Sequence, residues 1–269
     1  MLLPQEEYVE QHFFFKTFAE RLDDGYSSQE ILRAMKSELL STVHLPMAVD
    51  FLLAEVKLNG VMNQAMARMP HYFTPFQTYV VSEAEREGGR FDFRTALIVL
   101  ERLAGYMAGE HSVQGVFFFQ FETMSRNRLG YDQGLKAISL DPVYDENWRR
   151  WIDVILRRQV GIIDLADLIY VRSSYYERKP GESDEPVLFG DREGRIAWAS
   201  RKRDPSFLFS ALSRHLAYPK VPRAKKIKEE ENLIPVLKRR IELLESRLQI
   251  LEEELRGGIQ LERFYKKDN

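Results

Sequence analysis

The residue types that could carry chemistry in this chain are few, and their spacings do not match the common reactive arrangements. The five histidines are His12, His44, His71, His111 and His215. None has a glutamate three residues ahead of it or a second histidine four away, the spacings that put two metal ligands on one helix face. There is no cysteine, which removes disulfides, thiolate nucleophiles and cysteine-held metals together. Neither a glycine-rich phosphate loop ending in lysine nor a glycine-flanked serine occurs, so nucleotide hydrolysis and triad chemistry lack their geometry. We therefore expect no catalytic residue, no cofactor and no metal. Glu83, Glu85 and Glu87 could gather a hard cation through carboxylate oxygens, but such a cluster reads first as a solvated surface. Arg201, Lys202, Arg203, Lys220, Arg223, Lys225, Lys226 and Lys228 form the one basic concentration. Without interleaved aromatics it also reads as solvated chain, and nucleic acid is not an expected partner. Trp148, Trp151, Tyr175 and Tyr176 read as core or interface residues.

The composition sets the frame for these residues. Across 269 residues, 44% apolar and 12% aromatic content is ample for a packed core and excludes wholesale disorder. Lysine and arginine number 39 against 41 acids, so no net field draws in nucleic acid or an anionic membrane. Glu6, Glu7 and Glu10 stand where a secretion signal needs basic residues followed by an apolar stretch. The apolar runs, such as Thr95 to Leu100, stop far short of the roughly 20 residues that cross a bilayer. A cytoplasmic location without a membrane span is the expectation, and the missing cysteines fit a reducing compartment.

The elements follow from periodicity and punctuation. Tyr8, Val9, His12, Phe15, Phe18, Ala19 and Leu22 recur at helical spacing and stop at Gly25. Ser27 and Glu30 form a capping-box pair that opens a second helix reaching about Leu40. Pro46 and Gly60 bracket a third, and a short one runs from about Val61 to Met69. Thr74 before Pro75 opens a fifth that ends near Gly88 and Gly89, and Asp92 caps a sixth lined by Ala96, Val99, Leu100, Leu103 and Tyr106. Six helices in so short a stretch predict an antiparallel bundle over residues 1–110.

Beyond Gly109 the signals thin. Val116 to Phe121 fits a buried helix better than a strand, Trp148, Trp151, Ile152 and Ile155 mark a helix after Asp145, and Leu165, Leu168, Ile169 and Tyr175 mark another before Pro180. Val187 to Phe189 and Arg195 to Ala199 flank Asp191, Arg192, Glu193 and Gly194, which predicts a β-hairpin over 187–199. Asp204 and Pro205 start a helix to about Ala217, and two prolines make 218–233 a linker. Residues 111–217 thus form a second, mainly helical unit.

The last segment, 234–265, carries a heptad seam. Ile234, Leu237, Ile241, Leu244, Leu248, Leu251 and Leu255 alternate at spacings of three and four. In that register Arg240 and Arg247 take g positions, and Glu245 and Glu252 take e positions five residues later, the attractive pairs of a parallel dimer. Val236, Leu243 and Ile250 widen the stripe, so a helix folded back on its own body is the alternative.

Residues 13–110 resemble the cytoplasmic helical domain of the type II secretion F family, which includes the type IV pilus platform proteins. The likeness rests on Phe14, Phe18, Ala19, Leu22, Gly25 and Leu32, on Gly60, Val61, Ala65 and Pro70, and on Phe73. It continues through Ser82 to Asp92, where Glu85, Gly88 and Asp92 match the family's glycine and acid turn, and through Leu97, Leu100, Leu103, Ala104 and Tyr106. Ala84 stands where that turn has glycine, and one of Gly88 and Gly89 is an insertion. The family domain is duplicated, and Phe117, Phe118, Phe119, Gly130, Tyr131 and Leu135 form a poor second copy. Platform proteins follow the domain with membrane helices, whereas this chain continues through Gly109, Glu110, His111 and Gln114.

The expectation is thus a mainly all-α protein: an antiparallel bundle with one hairpin insertion and a C-terminal coiled-coil helix, working as a protein-interaction component and not as an enzyme. It self-associates, and the resemblance implies a motor ATPase or platform component of a secretion or pilus assembly as partner. The alternatives are a scaffold with no secretion role, or a nucleic-acid adaptor using residues 201–228.

Overall fold

The first helix, α1 (Gln5–Asp23), starts directly after Pro4 and ends where Gly25 adopts a φ of 88°. This computed structural model describes residues 2–41, 43–86, 91–157, 164–177, 185–224 and the single positions 237, 241, 242, 244, 245, 248 and 252. Ser27 and Glu30 make the reciprocal capping box and open α2 (Ser28–Met35). That helix stops short of Leu40 because the chain tightens into bonds from the Ser37 and Glu38 amides to Ala34 and Met35, with the Ser37 hydroxyl also donating to the Ala34 carbonyl. α3 (Leu45–Asn59) has Pro46 in its first turn and Gly60 beyond its end at a φ of 70°, a left-handed conformation that glycine adopts without steric cost. After α4 (Asn63–Arg68), Thr74 and Gln77 cap α5 (Pro75–Glu85), and Asp92 caps α6 (Phe93–Ala108).

The second half is also helical: α7 (Val113–Asn127), α8 (Tyr131–Ser139), α9 (Glu146–Arg157), α10 (Leu165–Val171), α11 (Asp191–Ser200) and α12 (Pro205–Leu216). Among the described residues no sheet forms. The hairpin expected over 187–199 is therefore a correction. Val187 to Phe189 pairs with no return strand: its backbone meets Arg172 and Ser174 beside an isolated parallel bridge between Ser173 and Phe189, and the Phe189 ring packs on Trp148 and Trp151. The supposed turn and return strand are α11. Asp191 and Glu193 sit in its first turn, where the helix dipole favours anions, and Arg195 pairs with Asp191 one turn away at 2.9 Å. Glu193, Gly194 and Ala197 face inward at helical spacing. Gly194 is needed there, because a Cβ would come within 2.2 Å of the Ser173 hydroxyl.

Helices α1 and α6 pair antiparallel. Gln5 donates to the Ala108 carbonyl, His12 meets the Glu101 carbonyl at 3.0 Å, and Asp23 pairs with Arg94, so one helix descends as the other rises. Gly105 permits the approach: a Cβ at that position would lie 2.9 Å from the His12 ring. Phe14, Phe15 and Phe18 are fully buried and meet edge to face. In the second half α7 is the centre. Every residue from Gly115 to Met124 is buried, and the Phe117 ring lies 5.0 to 6.5 Å from those of Phe118, Phe121, Tyr144, Trp148 and Trp151. One apolar cluster extends from Tyr8 to Val221 and crosses Gly109 without a break. No helix among the described residues is long and apolar enough to cross a membrane.

Candidate interaction surfaces

The acidic residues that drew attention as a possible ion site are occupied with the backbone. Glu85 reaches from the end of α5 to the start of α4, accepting from the Met62 amide at 2.8 Å and the Asn63 amide at 2.9 Å. Glu83 accepts from the Gly130 amide at 3.3 Å ahead of α8. Both carboxylates sit on free N–H groups at helix starts, where the dipole favours them. Asp92 accepts from the Thr95 amide and hydroxyl, each at 2.7 Å. Two of the three residues of the family-like turn, Glu85 and Asp92, thus position helices; Gly88 lies outside the described residues, as does Glu87. Among the described residues no group of three or more His, Asp or Glu side chains could hold a metal ion.

Of the basic concentration, Arg201, Lys202 and Arg203 precede α12, while Lys220 and Arg223 follow it. Arg201 is already paired with Asp167 at 2.5 Å and stacked on Trp198 at 4.0 Å. Lys225, Lys226 and Lys228 lie outside the described residues.

Trp148 and Trp151 belong to the core. Tyr175 belongs instead to a surface aromatic group on α10 and α11 that the sequence did not announce. Tyr170 stacks against Trp198 at 4.7 Å, Tyr175 and Tyr176 meet Tyr170, and Arg195 lies over Tyr175. Trp198 is half-exposed, as is Val187, and Phe207 is more exposed still. The signal available was Arg201 three residues after Trp198, one helical turn on, the placement for a cation over a ring.

A buried polar chain lies within the second half. Asp141, in the turn after α8, is sealed from solvent and accepts from the Gln120 amide at 2.5 Å; Gln120 in turn accepts from the Tyr144 hydroxyl at 2.6 Å. Its other carboxyl oxygen has no hydrogen-bond partner, and no cation pairs with it among the described residues. Burial pushes the Asp141 carboxyl up to about 7, against the opposing pull of Thr74, Gln120 and the Phe76 amide. Burial likewise raises the Tyr144 hydroxyl, with the Asp141 charge adding to it.

The exit of the chain towards the heptad seam is held tightly. Ala217 turns the chain with a φ of 54°, and residues 218–224 form a strap without regular secondary structure held against α6 and α7. Tyr106 donates to the Leu216 carbonyl at 2.8 Å, Arg102 donates to the Lys220 carbonyl, and Tyr218 donates to the buried Glu122 at 2.8 Å. Asn127 brackets the end of the segment, donating to the Pro222 carbonyl at 3.1 Å and accepting from the Ala224 amide at 2.9 Å. These residues form the first part of the expected linker, 218–233; the remainder lies outside the described residues.

Of the seam, Leu237, Ile241, Leu244 and Leu248 are described, and all four are helical. Their exposures are 51%, 53%, 62% and 60%. Ile234, Leu251 and Leu255 lie outside the described residues, as do Val236, Leu243 and Ile250. No family model matches this chain, and neither a curated protein nor a solved structure matches it.

Proposed function

We propose that this chain is a protein-interaction component that self-associates through its C-terminal helix and docks, through its helical body, to a secretion or pilus-like assembly in the cytoplasm. The observation that carries the first part is the exposure of Leu237, Ile241, Leu244 and Leu248 on a helix. Each large aliphatic side chain left in water forgoes roughly 1.5–3 kcal/mol of burial, so a row of four is a surface in want of a protein partner.

The second part rests on the resemblance over residues 13–110, and the roles of the residues that carry it support the reading. Gly25 and Gly60 adopt left-handed backbone at helix ends, Glu85 holds the start of α4 and Asp92 holds the start of α6. These positions set the angles between successive helices. The partner by that reading is a motor ATPase or a platform component, and no residue is assigned to catalysis.

Affinity capture from native cytoplasm is the test. Reproducible recovery of a secretion or pilus component is the expected result; recovery of unrelated proteins alone would leave a scaffold with no secretion role. The nucleic-acid alternative predicts retention on DNA or RNA that falls steeply with salt, and the engagement of Arg201 with Asp167 and Trp198 speaks against it.

A further inference from the structure

We infer that the seam is covered by a second copy of this chain, parallel and in register, so that both helical bodies sit at the same end of the pair. The inference deepens the self-association reading and rests on it. The side chains at Leu237, Ile241, Leu244 and Leu248 are more than half in solvent, and they do not pack on the chain's own core. In the heptad register the a positions are Ile234, Ile241, Leu248 and Leu255, and the d positions are Leu237, Leu244 and Leu251. Isoleucine at the first two a positions, Ile234 and Ile241, with leucine at every d position, favours two strands.

The flanking charges choose the orientation. A parallel pair sets each g residue against the e residue five places on in its partner, so Arg240 meets Glu245 and Arg247 meets Glu252, twice each by symmetry. Glu245 and Glu252 are helical and exposed, free to face outward across a dimer. An antiparallel pair sets g against g and e against e. Centred on the same stretch, it keeps four attractive contacts, Arg240 with Glu254 and Lys238 with Glu252, twice each, but adds Arg247 beside Arg247 and Glu245 beside Glu245, like charges that destabilise at close range and that the parallel pair avoids. Complementarity also argues for this chain itself as occupant, since Arg240 and Arg247 at g find their match in Glu245 and Glu252 at e of a second copy.

The native absence of cysteine allows a clean test on the full chain. A disulfide needs Cα atoms roughly 4.4–6.8 Å apart. In a parallel pair residue 237 faces its own copy; in an antiparallel pair it faces residue 255, and the two copies of 237 stand about 27 Å apart. We expect Leu237→Cys to cross-link to itself in nearly full yield on mild oxidation, and a mixture of Leu237→Cys with Leu255→Cys chains to give self-paired products only. A mixture that yields the 237-to-255 product alone overturns the orientation and leaves self-association standing. Dimer mass with neither product shows that the copies meet elsewhere and overturns the inference. Monomer mass of the unmodified chain by light scattering removes the self-association reading as well. A charge exchange supplies an independent check: Arg247→Glu and Glu252→Arg should each weaken the dimer severalfold, and the double variant should restore it. If the double variant is weaker than either single one, the pairing is wrong.

Discussion

Helix α7 and the C-terminal seam have the same raw material, large apolar side chains at helical spacing, and end in opposite environments. Phe117, Phe118, Phe119 and Phe121 are fully buried, with Phe117 ringed by aromatic neighbours, while Leu237, Ile241, Leu244 and Leu248 stand more than half in water. The difference is a matter of pattern. The apolar positions in α7 surround the helix, which suits an element enclosed on every side. Those of the seam recur at spacings of three and four on one side of the helix, a pattern that suits contact along a single side. On the proposal that the stripe meets a second copy, the two helices should respond to substitution in opposite ways.

The largest effect belongs to α7. Phe117→Ala should lower the stability of the body by roughly 3–5 kcal/mol, the range for removing a buried aromatic ring, read as a fall in the urea midpoint. A loss below about 1 kcal/mol would mean that α7 is not the centre of the second half.

Asp141 gives the next effect, and its sign is set by linkage. Its carboxyl titrates near 7 in the folded protein against an ordinary 3.8, so between those values the folded state holds the proton more often than the unfolded state. Stability from this group is therefore present below about pH 4 and lost as pH rises towards 7, by at most roughly 4 kcal/mol. Asp141→Asn, which retains an oxygen acceptor for Gln120, should abolish that part of the slope and gain most over the parent near pH 8. Urea titrations of both proteins from pH 4 to 8 measure it. Parallel curves would show that Asp141 ionises freely and that its seal between α5 and α7 is not tight.

A smaller effect is expected where the body passes into the seam. Asn127→Ala removes both bonds to the end of the strap, each worth about 1 kcal/mol in a half-buried setting. The body should lose about 1–2 kcal/mol, and amide exchange at 218–224 should quicken more than exchange in α7. Equal acceleration in both would indicate that strap and core open as one unit.

How much of this was legible in the sequence depended on the reach of each interaction. Ser27 with Glu30, Thr74 with Gln77, and Asp92 with Thr95 act within three residues, and the helix starts they define were readable. Glu85 caps a helix 22 residues behind it, and Asp141 binds Gln120 from the far side of α8; no local pattern encodes either. The segment 187–199 misled because five residues of alternation fit a strand and one and a half turns of helix equally well. The Asp191 to Arg195 pair, at i and i+4, pointed to helix. Trp198 was missed for a related reason. Its neighbours Tyr170 and Arg201 lie on both sides of it in sequence, and only the meeting of α10 with α11 brings the two rings and the charge together.

The smallest effect on the body, and the sharpest contrast with Phe117, should come from the seam. Leu244→Lys with Leu251→Lys puts charge on the stripe at two d positions, where a coiled-coil pair would have to bury it at a cost of several kcal/mol. In the body nothing is removed, because Leu244 is 62% exposed and makes no part of the apolar cluster. The urea midpoint of the body should move by no more than about 0.5 kcal/mol, the span typical of surface changes, while the mass by light scattering falls to that of a single chain. A helix folded back onto its own body predicts the reverse, a destabilised body at unchanged mass. The two readouts together decide whether the exposed stripe is an interface or only an uncovered part of the fold.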